Sequence, residues 1–329
     1  MGTFLLVAVI VFGLGFDFTN GFHDTANYIA TWVGTRALSP RLAVLVSAAA
    51  NLAGAFVTTA VAKTVGKGII DTGLATEKTV LAALLGAIVW NLLTWWEGLP
   101  SSSTHALIGG LVGAGLVQSG SNGVHWHGVW AKVLLPGLAS PAIGFLGAFV
   151  FLSFIYRFFF RAPPGVAHRT FRYGQLVSGT WVAFTHGAND AQKTMGVIAL
   201  ALYAHGSISS FYIPDWVKVA AGLTIAAGTY AGGWRIIRTL GQRIYKLQPE
   251  HGFAAQVAAG STLWAGTHYG FPISTTHVVT GSVMGAGATR RLSAVRWGVA
   301  GNIAFAWTLT LPAAGLVAAG LFYPVNWIF

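Results

Sequence analysis

The chain has 329 residues, 54% of them hydrophobic and only 8% charged, against roughly 25% charged in an average soluble domain, and so few charges cannot coat a soluble globule of this size. Its 19 Lys and Arg against 8 Asp and Glu give a formal net charge of +11, which has to be read by position along the chain and not as a nucleic-acid footprint. Cysteine is absent, which excludes disulfides and thiolate metal sites and leaves the compartment open.

At about 20 residues per membrane-spanning helix, the length accommodates at most about fourteen spans, and fewer with loops. The N-terminal run MGTFLLVAVIVFGLGFDF lacks the basic flank and small-residue cleavage site of a signal peptide, so it is read as the first span. Ten apolar segments follow from the hydropathy pattern, at 2–33, 41–62, 79–97, 101–118, 129–156, 174–204, 216–234, 253–269, 272–288 and 297–322. Segments 2–33 and 174–204 are too long for one simple span and carry Asp and Asn near their middles, so both are read as broken helices. The pairs 79–97 with 101–118 and 253–269 with 272–288 are joined by the tight junctions Leu99-Pro100-Ser101 and Phe271-Pro272-Ile273, and are read as two helical hairpins, of a length that permits re-entrance. The expected fold class is an all-α polytopic membrane protein of about ten helical segments. The 13 Trp suit an aromatic belt, and glycine runs such as Gly109-Gly110 with Gly113 and Gly115 suit close helix contacts.

Basic residues orient the chain. Arg157, Arg161, Arg169 and Arg172 crowd one loop, Arg235, Arg238, Arg243 and Lys246 a second, and Arg290, Arg291 and Arg296 a third, while 119–128 and 205–215 contain no Lys or Arg. The positive-inside rule makes the three basic loops cytoplasmic, with Arg36 and Arg41 also inside and both termini outside. The loop 63–78 runs against that count, because it holds Lys63, Lys67 and Lys78 yet must be external.

Two internal matches then organise the chain. Phe18-Thr19-Asn20-Gly21-Phe22-His23-Asp24 aligns with Phe184-Thr185-His186-Gly187-Ala188-Asn189-Asp190 at an offset of 166 residues, and Pro100-Ser101-Ser102-Ser103-Thr104-His105 aligns with Pro272-Ile273-Ser274-Thr275-Thr276-His277 at an offset of 172. Each half reads as broken helix, span, hairpin, span, with the first hairpin opening from outside and the second from inside. The expected organisation is two inverted repeats, 1–157 and 174–329, joined by a cytoplasmic basic linker at 158–173 that contains Ala162-Pro163-Pro164-Gly165.

The residues able to do chemistry cluster in those matches. Asp24 and Asp190 are read as the carboxylates well inside apolar segments, with Glu97 beside a hairpin tip and Asn27, Asn189 and Gln192 close by. A carboxylate at membrane depth is costly unless paired, so it marks a functional site by default; the structural alternative is a lock with a nearby cation such as Lys193. Ser102, Ser103 and Thr104, and likewise Ser274, Thr275 and Thr276, follow a proline and precede an apolar helical run, the composition of a capped helix N-terminus. Two such ends facing each other offer N–H and hydroxyl donors to a tetrahedral oxyanion; ordinary capping is the alternative. An oxyanion beside two carboxylates in a low-dielectric site is repelled by several kcal/mol, so positive charge must accompany it: a cation such as Na⁺, a proton on a carboxylate, or a metal complexed with the substrate. Phosphate carries hydroxyls that donate to a carboxylate or amide, which favours it over sulfate. His23, His105, His186 and His277 flank the motifs and suit proton carriage, or bridge helices as neutral imidazoles; no metal site is assigned to them.

At these residues the sequence resembles the inorganic phosphate transporter (PiT) family, through Gly21-Phe22-His23-Asp24-Thr25-Ala26-Asn27, Gly187-Ala188-Asn189-Asp190-Ala191-Gln192-Lys193 and the two Pro-x-Ser-x-Thr-His elements at Pro100 to His105 and Pro272 to His277. With the layout of the halves, the resemblance covers nearly the whole chain. It implies a cation-coupled phosphate symporter that works as a homodimer, with both Asp motifs and both hairpin tips at one central site. Carried over by position, Asp24, Asn27 and Asp190 hold the coupling cation, and Asn189, Gln192, Ser102, Ser103, Thr104, Ser274, Thr275 and Thr276 hold phosphate. His23 stands where the family usually has Asn, and Gln192-Lys193 where it has Ala-Asn; these departures look like the bacterial low-affinity branch, which is commonly proton-linked and also carries metal–phosphate complexes. The implied location is a bacterial cytoplasmic membrane, with no cofactor beyond the co-transported cation, no nucleic-acid partner, and basic loops able to dock a cytosolic regulatory partner. A sulfate symporter on the same scaffold and an anion channel are the alternatives; an enzyme is disfavoured because the polar set holds no asymmetric nucleophile–base pair.

Overall fold

Apolar runs punctuated by Pro, Gly and hydroxyl residues fold, in this computed structural model describing residues 2–233, 236 and 247–329, into helices α1 (Gly2–Gly34), α2 (Pro40–Gly54), α3 (Ala60–Lys67), α4 (Glu77–Glu97), α5 (Ser103–Ser119), α6 (Trp126–Phe159), α7 (Pro164–Ala204), α8 (Asp215–Ala231), α9 (Pro249–His268), α10 (Thr275–Ala288) and α11 (Trp297–Ile328). The chain is all-helical, its strand-like pairing among the described residues being one antiparallel bridge between Ile70 and Val124. Helices α1, α4, α6 and α11 are each long and apolar enough to cross a membrane. Their outward residues, among them Phe4, Leu138, Phe158, Phe305 and Leu316, leave large apolar side chains on the exterior, as a lipid-facing wall requires.

Three expectations are corrected. Segments 2–33 and 174–204 are not broken: α1 and α7 run as continuous α-helix over 33 and 41 residues, with Asn20, Asp24 and Asp190 partnered across the bundle. The segment 41–62 divides into α2 and α3, and the Gln192 side-chain carbonyl accepts the N–H groups of Val61 (2.8 Å) and Ala62 (3.1 Å) in the first turn of α3. The linker at 158–173 is mostly helix, since α7 begins at Pro164, with proline in the first turn where its missing N–H costs nothing. Arg169 and Arg172 therefore stand on α7, while the loop of Arg235, Arg238, Arg243 and Lys246 lies outside the described residues.

Both hairpins turn in the same way. Gly98 and Gly270 take positive φ of 66° and 70°, a conformation glycine adopts without strain, and Ser102 and Ser274 then cap α5 and α10 by accepting the N–H of His105 (3.1 Å) and His277 (3.3 Å). The inner hairpin helices pack through glycines. A Cβ at Gly109 or Gly113 of α5 would fall on the backbone of Leu311 or Gly315 in α11, and one at Gly281 or Gly285 of α10 on that of Pro141 or Phe145 in α6. Each hairpin is thus held by the long helix of the other half.

The apolar interior falls into two bodies. One takes Leu5, Leu6, Val9 and Phe16 of α1 with Ala191 to Leu202 of α7; the other takes Ala26 to Trp32 of α1 with Phe171, Val182 and Ala183 of α7. A polar belt, roughly 17–25 on α1 and 185–190 on α7, separates them. At one end Gly2 lies against His205 and Glu77 pairs with His205. At the other, Thr35 donates to Gln175 and Tyr156 pairs with His251, close to Arg36 and Arg157.

Candidate functional site

The belt gathers the acidic motifs and both hairpin tips into one buried cluster. His186 Nε2 lies 3.5 Å from Asp190 Oδ2 and 3.8 Å from Asp24 Oδ2. The motif glycines Gly21 and Gly187 seat α1 directly on α8 and α7 directly on α2, where a Cβ would meet Thr229 or Asn51 main chain.

Donors from both tips converge on the carboxylates. Ser103 Oγ donates to Asp24 Oδ2 (2.9 Å), Thr276 Oγ1 to Asp24 Oδ1 (3.4 Å) and Thr275 Oγ1 to Asp190 Oδ1 (3.3 Å). His23 Nδ1 is 2.9 Å from Asp24 Oδ1, and its Nε2 meets Thr94 and Ser101. Asn20 Nδ2 donates to Asp190 Oδ2 (3.2 Å) and Asn27 Nδ2 to Thr276 Oγ1 (3.0 Å). Lys193, fully buried, pairs with Asp190 Oδ1 at 2.7 Å and also donates to Thr104 Oγ1, while Thr104 reaches the Ile273 carbonyl of the opposite tip. The lock between Lys193 and Asp190 that the sequence left as an alternative is therefore present. Asp24 is held instead by histidines and hydroxyls.

Other sequence-derived residues sit at the margins. Ser102 and Ser274 are engaged as helix caps. Asn189 Nδ2 donates to Thr267 Oγ1 (2.9 Å) and the Phe271 carbonyl (3.1 Å), which leaves its Oδ1 buried and unpartnered. Gln192 is committed to α3 and to the Ala188 carbonyl. His105 and His277 stack on each other at 4.8 Å, with Trp307 stacked at 4.0 Å on the far face of His277; they bridge the two hairpins beside the carboxylate cluster.

The tautomer of His186 follows from its neighbours. Asn51 Nδ2 donates to Tyr28 and Thr229, so Asn51 Oδ1 is an acceptor, and His186 Nδ1, 2.8 Å away, must donate to it. In a neutral ring Nε2 then turns a lone pair toward two carboxylates. That arrangement is repulsive until a proton on Nε2 or a cation among the three groups supplies positive charge.

Asp17 escaped the sequence reading, which took Asp24 and Asp190 as the carboxylates well inside apolar segments. It is equally buried, seven residues before Asp24 in the same apolar run. The signal was a spacing of two helical turns, which puts both on one face.

A model described as the phosphate transporter family matches residues 20–318. A probable low-affinity inorganic phosphate transporter of Rhizobium meliloti (strain 1021) is 48% identical over 98% of this chain and 97% of its own length, and one of Bacillus subtilis (strain 168) is 40% identical over 99% and 98%. Among solved structures, one titled the sodium-dependent phosphate transporter superposes with a TM-score of 0.90 at 26% identity, covering 99% of this chain and 100% of that one.

Proposed function

Since the chain belongs to the phosphate transporter family, a multi-pass membrane transporter and not an enzyme, we propose that it carries inorganic phosphate by symport with a proton or sodium ion through the belt between Asp24 and Asp190. The observation carrying this reading is the placement of His186 Nε2 between two carboxylates, which calls for a positive charge at that spot. Lys193 neutralises Asp190, so Asp24 is the charge left for the travelling cation to balance.

The hydroxyls supply the coupling. Ser103, Thr275 and Thr276 donate to the carboxylates. When a cation or proton neutralises Asp24, its donors Ser103 and Thr276 are released toward phosphate oxygens, with Thr104 and Lys193 beside them. Cation first and anion second is then the favoured order. Asn27 orients Thr276, and His23 holds Asp24 in place. The unpartnered Asn189 Oδ1 accepts a phosphate hydroxyl, a bond that fully deprotonated sulfate cannot offer, so phosphate is preferred.

Two inverted repeats account for the layout: Gly98 with Gly270, Gly109 with Gly281 and Gly113 with Gly285 all recur at the offset of the hairpin motifs. The hairpin of α4 and α5 starts at the end holding Gly2, that of α9 and α10 at the end holding Arg157, and both turn beside the carboxylates. We take the arginine-rich end as cytoplasmic and the termini as external in a bacterial cytoplasmic membrane.

Proteoliposomes loaded with purified protein test the proposal through uptake of labelled phosphate and sulfate under separately imposed proton and sodium gradients. Concentrative phosphate uptake driven by one of them is expected. Phosphate that only equilibrates, indifferent to both gradients, would make the protein a channel.

A further inference from the structure

Asp17 is a buried carboxylate for which the paired-acid site has no use. The Thr194 hydroxyl, a donor beyond full hydrogen-bond distance, and the charges of Asp190 and Lys193 act on it, all from α7. Neither Asp17 oxygen has a hydrogen-bond partner, and Thr194 Oγ1 and Asn20 Oδ1 are likewise unpartnered, in three residues that are each 0% exposed. Lys193 is already engaged by Asp190, Thr104 and the Ile273 carbonyl. A carboxylate in this setting costs several kcal/mol unless something neutralises it. With Asn20 one helical turn after Asp17 on α1 and Thr194 facing it from α7, the oxygens on offer are a carboxylate, a hydroxyl and an amide carbonyl, a donor set for a hard cation and a poor one for a soft metal.

Symmetry does not explain the cluster. At the offset relating Asp24 to Asp190, the counterpart of Asp17 is Ala183 and that of Thr194 is Tyr28. The Tyr28 hydroxyl is already bonded to Thr229 and Asn51. Asp17 and Thr194 therefore extend the buried oxygens from the paired acids toward the end of the protein that holds Gly2 and His205, with no repeat counterpart of the same chemistry.

We propose that Asp17, Thr194 and the Asn20 side-chain carbonyl form a second cation subsite for one monovalent charge, sodium or a proton, on the Gly2 side of the paired carboxylates. Its role as a way station for the coupling ion rests on the symport reading; binding at the subsite does not. With the termini outside, an incoming cation meets Asp17 before Asp24.

Radiolabelled sodium binding to the purified protein, paired with infrared difference spectra of its carboxyl groups across a pH range, separates the two sources of charge. A sodium subsite predicts that Asp17→Asn binds one fewer ion per chain than wild type, and that Thr194→Val raises the half-saturating sodium concentration by about tenfold. A proton subsite predicts a titrating protonated-carboxyl band that is missing in Asp17→Asn and shifted in Thr194→Val. Sodium stoichiometry and carboxyl spectra unchanged in both variants would overturn the subsite. Thr194→Val preserves the carboxylate and the side-chain shape, so it decides the matter if Asp17→Asn does not fold. Neither measurement involves phosphate: wild type that binds the cation but accumulates no phosphate would count against the transport reading alone.

Discussion

Replacing Lys193 by methionine removes the positive half of a fully buried pair whose atoms lie 2.7 Å apart. One-sided loss of such a partner costs about 3–5 kcal/mol. Asp190 keeps the neutral donors Asn20 at 3.2 Å and Thr275 at 3.3 Å, which places the loss near the lower bound, about 3 kcal/mol or roughly a hundredfold in the folded-to-unfolded ratio. Asp190→Asn should be similarly harmful, because it strands the ammonium between Thr104 and a carbonyl. The double variant Lys193→Met/Asp190→Asn, which removes both charges, should recover about 2 kcal/mol or more of the summed single losses. Denaturant titration of the four proteins in one detergent closes the cycle. Strictly additive losses would refute the pairing and would mean that something other than Lys193 neutralises Asp190. Uptake adds a second readout: with the fixed cation gone, phosphate should need one more travelling cation, so the cation dependence of the Lys193→Met protein should steepen.

Asp24→Asn should abolish gradient-driven uptake while the protein still reaches the membrane; full activity would take that carboxylate out of the coupling. Ser103→Ala and Thr275→Ala remove hydroxyls that bond ionised carboxylates, contacts of about 1.5–3 kcal/mol each, and should raise the half-saturating phosphate concentration about tenfold or more, measured in proteoliposomes at saturating cation. An unaltered value would leave both as supports of the hairpin turn. Gly187→Leu should prevent folding, since even a Cβ there meets the Asn51 backbone, whereas Gly298→Ala, with open space around it, should be neutral by detergent-phase gel filtration. Outside the membrane, the Gly73 backbone N–H holds the Asp71 carboxyl below its ordinary value, with His125 also lowering it. A depressed carboxyl stabilises the loop above the unfolded value of about 4 and loses that contribution as pH falls, so amide protection around Gly73 should decline on acidification and Asp71→Asn should flatten the change.

Each of the ten apolar segments read from sequence corresponds to a helix or, for 41–62, to two. The serine and threonine triplets together with the Asp motifs located the belt, because proline, hydroxyls and buried acids are local signals. What stayed hidden depended on contacts between distant residues. Nothing near Val57 announces the break between α2 and α3, since Gln192 caps α3 from more than a hundred residues away. Continuity of α1 and α7 was illegible for the same reason: Asn20, Asp24 and Asp190 find partners across the bundle, and even Asp17, whose oxygens have none, leaves α1 unbroken. Lys193 was legible as a candidate lock on a nearby acid, and what the sequence did not show is its reach to both hairpin tips. Asp17 was legible and passed over, because no repeat partner drew attention to it.

The glycine seams have a mechanical corollary. With α5 clamped on α11 and α10 clamped on α6, each half of the chain grips the other's hairpin, like two hands clasped at the wrists. Such halves cannot rock as separate bodies. Tight packing instead ties α4, α5 and α11 into one mixed bundle and α6, α9 and α10 into another, each drawing on both halves of the sequence, while the paired acids stand on α1 and α7, outside both.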